Sequence, residues 1–481
     1  MKLKRIIAAF LAVATIFSVT ACSGSETSSV TIDGSSVTSE VSKDESSKEE
    51  ESKEESKTET SAPETSEPET SAPETSEPET SAPETSEPET SAPETSEPET
   101  SAPETTTTTT TEAPETEKPN ESTPSEKSEM TDKLNTFKLS EDNAKHLGRT
   151  YTDGDGTVWL SHSASALEFT FTGTKASVTV CEDIAYGAGS EPRFAIYVND
   201  ERVEDVLLKE KEKTIDFYSA DSAKETKVKI IKLSEAANSI FGVKSVSANT
   251  TNLVPTAKND LKIEFIGDSI TCGYGVDDEV KENHFSTATE DATRAYAYKT
   301  AMNLGADYSL VSFSGHGIIS GYSGDGKKQD QQLVPTFYGK VARNYSGSKI
   351  VENDWDFSRF TPDVIVINLG TNDNSYVKKD KAKEEEYKAG YIAFLKQIRE
   401  KNPDAFILCT LGTMGNELFY PMKHAVDEYK TETGDTNVDS LALPTQSAAD
   451  GYAADWHPTE KSHVKAADRV TLKIKYVLGI E

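Results

Sequence analysis

Between about residues 134 and 255, apolar and polar residues alternate in runs too short for helices. Single polar residues separate Leu167, Phe169 and Phe171, and likewise Ala176, Val178 and Val180. The pattern continues in RFAIYV (193–198), KTIDFY (213–218), KVKIIKL (227–233) and FGVKSV (241–246), with Gly, Asn, Asp and Ser clusters between them. A period of two in short runs bounded by turn residues predicts strands with one buried face, here forming a small β-sandwich. Such a unit can bind sugar, brace a neighbouring domain, or do both.

From about residue 258 the texture changes. LKIEFIG (261–267), YSLVSFS (308–314), DVIVINLG (363–370) and AFILCTLG (405–412) are short runs bounded by Gly, Asp or Ser. The three central runs are nearly continuous in apolar residues, which predicts strands buried on both faces. Helical stretches lie between them, such as RAYAYKTAMNL (294–304) and KAKEEEYKAGYIAFLKQIREK (381–401), where Tyr387, Tyr391, Phe394 and Ile398 recur at helical spacing. This alternation predicts an α/β domain, a parallel sheet with helices on both faces in three α/β/α layers. Ligands in such folds bind beyond the carboxyl ends of the strands.

Composition removes the first quarter of the chain from the folded part. Of the 481 residues, 1–130 hold 30 acidic and 9 basic residues, so most of the net charge of −33 lies there. SAPETSEPET occurs four times in tandem from Ser61 to Thr100 with no apolar residue larger than Ala. Such copies cannot bury a core, so the repeat reads as a disordered tether rather than a solenoid. At ~3.1 Å per residue in polyproline II, some 100 residues would reach roughly 300 Å. The mildly acidic remainder has no basic stripe with interleaved aromatics, which argues against nucleic acid.

The N-terminus adds an address. Lys2, Lys4 and Arg5 precede an apolar run from Ile6 to Phe17 that is short for a bilayer span, and the run ends in Val19-Thr20-Ala21-Cys22. These residues resemble a bacterial lipobox, which implies lipidation at Cys22 and a place on the outer face of the cytoplasmic membrane; the alternative is an ordinary export signal with a chance Cys. Cys181, Cys272 and Cys409 form no CxxC or Cys/His cluster, so they read as structural thiols with no metal site. The expected organisation is a leader (1–22), a tether (23–133), a β-sandwich (134–257) and an α/β domain (258–481).

Candidate chemistry sits at the strand ends. The first run gives Gly267-Asp268-Ser269-Ile270-Thr271, the second Ser314-Gly315-His316-Gly317 and the third Gly370-Thr371-Asn372-Asp373. Turn chemistry accounts for each cluster alone. It does not account for their joint placement, followed by Asp455-Trp456-His457-Pro458 near the C-terminus. Acyl transfer does. A serine hydroxyl needs a base to take its proton, and the developing oxyanion needs donors fixed in advance. Ser269 on its turn offers a hydroxyl and an N–H, Gly315 a second N–H, and Asn372 a side-chain amide. No Gly-x-Ser-x-Gly elbow is present, so an α/β-hydrolase fold is not supported.

This order of blocks resembles the SGNH (GDSL-type) hydrolases. The resemblance implies Ser269 as nucleophile, Ser269, Gly315 and Asn372 as oxyanion donors, and His457 as base. A small, jelly-roll-like β-sandwich before such a domain, Gly148-Arg149 ahead of its strands, GDSITCGYG and DWHP together resemble the family 2 carbohydrate esterases, from about residue 134 to the C-terminus. That similarity implies removal of O-acetyl groups from xylan or glucomannan, without metal or other cofactor, by a monomer.

Pro458 keeps His457 out of helical geometry, in a loop before a final helix capped by Thr459. Val464, Ala467, Val470 and Ile474 would form that helix's apolar face, and His463 would pack or hydrogen-bond within it. Most SGNH enzymes carry Asp three residues before the His; here that place is Ala454, and the carboxylate is Asp455, two before. Either Asp455 reaches the imidazole through the loop or a backbone carbonyl orients the ring. Trp456, Trp355 and His316 are candidates for substrate contact, with packing as the alternative for Trp355 and a structural role for His316. The expected function is polysaccharide deacetylation. The competing readings are an esterase or lipase for another acyl group, and an inactive carbohydrate-binding surface lipoprotein.

Overall fold

Residues 133–480, Tyr186 excepted, are described by the computed structural model; the leader with Cys22 and the tether lie outside them. The described residues fall within one compact unit. Its first part is antiparallel, a ten-stranded sheet of β1 (Asn135–Phe137), β2 (Lys145–Leu147), β3 (Thr150–Thr152), β4 (Val158–Leu160), β5 (Ala166–Glu182), β6 (Arg193–Val198), β7 (Glu201–Leu207), β8 (Glu212–Lys232), β9 (Phe241–Ala248) and β10 (Val254–Pro255). The alternating runs of the sequence are all present, but two pairs are fused. Leu167–Phe171 and Ala176–Val180 share β5, and KTIDFY and KVKIIKL share the 21-residue β8. Register shifts at Gly173/Lys175 and Ala176/Ser177 interrupt their pairing. A bulge bends a strand without ending its ladder, so turn-like residues in mid-strand do not stop it. Phe169, Val178, Phe194, Ile230 and Phe241 centre the core of this part.

The second part is a five-stranded parallel sheet of β11 (Lys262–Gly267), β12 (Asp307–Ser312), β13 (Val364–Asn368), β14 (Phe406–Thr413) and β15 (Val438–Thr445), in the order β12-β11-β13-β14-β15. Four strands match the apolar runs. β15, half exposed along VDSLALPT, lacks the continuous apolar signal of a central strand. The helices are α1 (Ser269–Cys272), α2 (Tyr296–Asn303), α3 (Val334–Phe337), α4 (Thr371–Val377), α5 (Lys381–Lys401), α6 (Phe419–Thr433) and α7 (Glu460–Leu478). Two core clusters flank the sheet. Ile266, Ile367 and Ile407 pack with Tyr391, Phe394 and Val426 of α5 and α6. Phe265, Val366 and Leu408 pack with Ala297 of α2 and Val470 and Ile474 of α7. Neighbouring residues of one strand thus enter different clusters, as alternation along a strand requires.

The last helix departs from expectation in two details. Val464 is exposed, and the buried stripe runs through His463, Ala466, Ala467, Val470 and Ile474. The side-chain oxygen of Thr459 does not cap the helix; its hydroxyl donates to the Asp450 carbonyl at 2.9 Å.

Arg149 joins the two parts. It is fully buried, donates to the Tyr338 and Lys340 carbonyls at 2.6 Å each, and faces Glu264 at 3.5 Å. The rings of Tyr338, Trp355 and Phe357 surround the guanidinium at 5.2–5.4 Å. Removing one partner of a buried pair leaves the other charge without compensation, at about 3–5 kcal/mol. Arg149→Met is therefore expected to destabilise the folded unit by about that amount in denaturant titration; a loss under about 1 kcal/mol would contradict this account.

Candidate active site

Backbone pairing brings the three clusters level. Gly267 at the end of β11 is in register with Ser312 on one side and Asn368 on the other, so the residues after each strand emerge side by side. A Cβ on Gly267 would stand 2.0 Å from Thr271 Oγ1, so this close turn admits only glycine. Asp268 follows, buried, and its Oδ1 accepts the Ile270 N–H at 3.0 Å, capping α1. Ser269 opens that short helix.

Ser269 Oγ lies 2.9 Å from His457 Nε2. On the other side of the ring, Nδ1 is 3.2 Å from both the Ala454 and the Asp455 carbonyl oxygens. Carbonyls only accept, so Nδ1 carries the proton and Nε2 is free to accept the serine's. This is the tautomer a general base needs. The Tyr274 ring stacks on the imidazole at 3.8 Å between centroids, and Phe285 packs on Tyr274 at 4.4 Å. Removing the ring from water pushes its pKa down to about 4, against the opposing pull of the two carbonyls and of the Asp455 charge.

Asp455 is not placed as the triad acid. Its carboxylate accepts from Tyr274 Oη at 2.7 Å, His284 Nδ1 at 2.9 Å and the Phe285 N–H at 2.9 Å, none of them part of His457. The loop passes through φ of 51° at Asp455 and 63° at Trp456, conformations uncommon outside glycine. That reversal leaves the carboxylate on Tyr274 and brings two carbonyls to Nδ1. Of the two readings left open by the sequence, the geometry matches backbone orientation of the ring.

Gly315 has φ of 75°, and nothing lies within 4 Å of where its Cβ would stand, so its backbone faces open space. The Asn372 amide nitrogen donates to the His316 carbonyl at 2.8 Å and makes a longer 3.3 Å contact with Asp268 Oδ2. The second of these is the weaker commitment. Burial, reinforced by the Asp373 charge, pushes the Asp268 carboxyl up to about 7. Asp373 fixes the neighbouring loop by accepting the N–H groups of Ile318, Ile319 and Ser320.

Ser269, Gly315, Asn372 and His457 line one cleft of about 500 Å³, a volume suited to a small ligand. Three candidates for substrate contact do not line it. His316 is fully buried, its Nδ1 on the Ser314 carbonyl at 2.9 Å and its Nε2 taking the Arg343 Nε–H at 3.2 Å. Trp355 is buried against Arg149 and borders a separate cavity of about 220 Å³ near Lys145 and Arg359. Trp456 is exposed beneath Lys281, whose ammonium sits 4.2 Å from the ring centre. The cleft's aromatic walls are Tyr274, Phe285, Tyr322 and Tyr345 instead. Tyr274 was within reach of sequence reasoning, since it lies in GDSITCGYG; Tyr322 and Tyr345 sit in the long segment after β12, where no periodicity marks them. His463 holds α2 through its Nδ1, which accepts the Tyr296 N–H at 3.2 Å.

Comparison with known proteins agrees with this geometry. Residues 265–465 match the GDSL-like lipase/acylhydrolase family and residues 146–256 the carbohydrate esterase 2 N-terminal family. The chain is 32% identical over 332 residues to cellulase/esterase CelE of Acetivibrio thermocellus, covering 68% of this chain but only 38% of that protein. It is 24% identical over 351 residues to an acetylxylan esterase / glucomannan deacetylase of Cellvibrio japonicus, covering 73% and 93% of the two chains. Among solved structures, a family two carbohydrate esterase from Clostridium thermocellum in complex with cellohexaose superposes with a TM-score of 0.62 at 30% identity, covering 70% of this chain and 99% of that one.

Two outcomes follow from the base and its surroundings. Losing a true triad Asp costs around 10⁴-fold in turnover, whereas Asp455→Asn, which retains an acceptor for Tyr274, is expected to cost less than about tenfold in kcat on an aryl acetate. With the base depressed to about 4, kcat/KM is expected to stay level from neutral pH down to about 5 and fall to half near pH 4 as Nε2 becomes protonated. Half-loss near pH 6.5 would mean an ordinary, solvated histidine.

Proposed function

Since the chain belongs to the family 2 carbohydrate esterases, we propose that it removes acetyl groups from plant polysaccharides such as xylan or glucomannan, or their oligosaccharides, through an acetyl-enzyme on Ser269. The 2.9 Å contact between Ser269 Oγ and His457 Nε2 in an open cleft carries this reading. Ser269 Oγ attacks the acetyl carbonyl as Nε2 takes its proton. Gly315 N–H, Ser269 N–H and the Asn372 amide receive the oxyanion, with Asn372 exchanging its long contact to Asp268 for the stronger charged one. His457 returns the proton to the departing sugar hydroxyl. Water, deprotonated at the same Nε2, then cleaves the acetyl-serine to acetate.

Ser269 and His457 act as a dyad in this scheme, with the Ala454 and Asp455 carbonyls taking the orienting part. The names of the Cellvibrio relative and the cellohexaose in the Clostridium complex support a β-linked plant glycan as the bearer of the acetyl group. The two core clusters on the parallel sheet support a three-layer α/β/α catalytic domain from about 258. The long bulged strands support a jelly-roll-like β-sandwich over 134–257, and the enzyme acts as a monomer. The leader ending in Cys22 supports a lipid anchor on the outer face of the cytoplasmic membrane.

Acetate release from acetylated xylan and glucomannan is the direct measurement. Wild type is expected to release acetate from at least one of them and to act faster on acetyl than on butyryl esters, while Ser269→Ala is expected to lose at least about 10³-fold. Full activity of Ser269→Ala would sink the proposal. Changing Cys22 to Ser is expected to move the protein from the membrane to the soluble fraction; unchanged membrane retention would contradict a lipid anchor.

A further inference from the structure

We propose that the N-terminal β-domain is part of the catalytic apparatus: Glu235, on the segment between β8 and β9, is a positioning residue that, together with His316, fixes the Ser314–Gly315 peptide whose N–H receives the oxyanion. The inference rests on the acyl-transfer reading above and assigns one of its parts to a residue outside the catalytic domain.

Hydrogen bonds fix that peptide on both sides. Glu235 is 1% exposed, and its Oε2 accepts the Ser314 N–H at 2.8 Å. The Ser314 carbonyl accepts from His316 Nδ1 at 2.9 Å, and the Gly315 carbonyl accepts the Tyr322 N–H at 2.8 Å. A trans peptide points its N–H opposite to its carbonyl. With the Ser314 carbonyl held on the buried His316, the Gly315 N–H is turned the other way, on the residue whose Cβ position faces empty space. His316 Nε2 accepts from Arg343, so Nδ1 must carry the ring's one proton and can only donate. Its ring cannot invert this peptide without losing both bonds.

Glu235 is itself held at every polar atom. Its N–H donates to Glu290 Oε2 at 2.9 Å, its carbonyl accepts from Lys232 Nζ at 2.8 Å, and Oε1 accepts from Asn238 Nδ2 at 3.1 Å. Cys272 Sγ, three residues after the nucleophile, also lies against Oε2 at 3.8 Å, beside its shorter 3.2 Å contact with Ser312 Oγ. One carboxyl therefore touches both the strand end bearing Gly315 and the helix bearing Ser269. A group with four anchors and a buried setting is placed to fix geometry; bracing a domain junction would not require it to line the cleft, as it does.

The test uses the whole protein, 4-nitrophenyl acetate, which carries no sugar, and a small boronic acid, whose adduct with serine has a tetrahedral boron that places an oxygen in the oxyanion position. Glu235→Ala is expected to lower kcat about 100-fold, leave KM within about twofold, and weaken boronate inhibition by a similar 100-fold. Glu235→Gln, which keeps an acceptor for the Ser314 N–H, is expected to stay within about tenfold of wild type on both. If Glu235→Ala fails to fold, Glu235→Asp, which withdraws the acceptor by one methylene, replaces it and is expected to lose at least tenfold in kcat and in boronate affinity together. Unchanged kcat in either shortened variant would overturn the proposal, as would a fall in kcat with boronate affinity intact, or a thermal destabilisation with normal kinetics. Ser269→Ala is the control. Turnover surviving there would overturn the acyl-transfer reading itself, whereas turnover lost there but intact in the Glu235 variants would overturn only the role of Glu235.

Discussion

Everything at the active site depends on the register of one strand with its two neighbours. Gly267 of β11 pairs with Ser312 and with Asn368. A shift of either neighbour by one residue would carry its terminal cluster about 3.3 Å along the strand axis and turn its side chains to the other face. Ser269, Gly315 and Asn372 come from positions far apart in sequence, yet each needs only two to four residues beyond its strand to reach the cleft. Short extensions have little freedom, so the rigidity of the sheet passes directly to the reacting groups. His457 is the exception, since it arrives on a long loop. Bonds from Ala454 N–H to the Asp278 carbonyl and from Asp455 N–H to the Asn283 carbonyl supply the fixing that a strand would otherwise give.

Asp455 shows how a familiar side chain can be diverted while the chemistry survives. Orienting an imidazole requires an acceptor at Nδ1, and two carbonyls at 3.2 Å meet that need without a full charge. What they give up is stabilisation of the imidazolium, visible in a ring whose pKa falls with burial instead of rising with a partner. The carboxylate holds Tyr274 and the Phe285 backbone, and these form the wall that excludes water from the base. Its influence on the reaction is thus exerted through packing.

Much of this was legible in the chain, for identifiable reasons. Strands buried on both faces leave continuous apolar runs, so β11 to β14 stand out, and three of the four residue types named by the chemistry, Ser269, Gly315 and Asn372, lie where those runs end. The edge strand β15 has no such signature. In the β-domain, bulges let β5 and β8 run through residues that read as turns. Trp355 illustrates a different limit. Its indole looks like a sugar platform in sequence, but whether an aromatic faces solvent or a buried guanidinium is decided by a partner two hundred residues away, Arg149. Asp455 could not be assigned because a positive φ at a non-glycine residue leaves no mark in composition.

The junction between the two parts adds charge to an apolar seam in which Leu147, Ile231 and Leu233 pack into the core around Phe265. Arg193 meets Asp277 at 2.6 Å, Arg202 meets Asp291 at 2.8 Å, Lys145 meets Asp307 at 2.8 Å, and Arg149 faces Glu264. Lys232, Glu235 and Glu290 lie together beneath the cleft, where burial lowers the lysine to about 8 and raises both glutamates. Buried ionic groups are a poor source of stability compared with apolar residues of the same size. Their bonds, however, are directional, and an apolar seam of equal area would tolerate sliding that these pairs do not. A junction that only had to hold two domains together could rest on its hydrophobic contacts alone. One that must deliver a carboxyl oxygen to a particular N–H, within a few tenths of an ångström, gains more from fixed geometry, and that is the kind of junction this chain has.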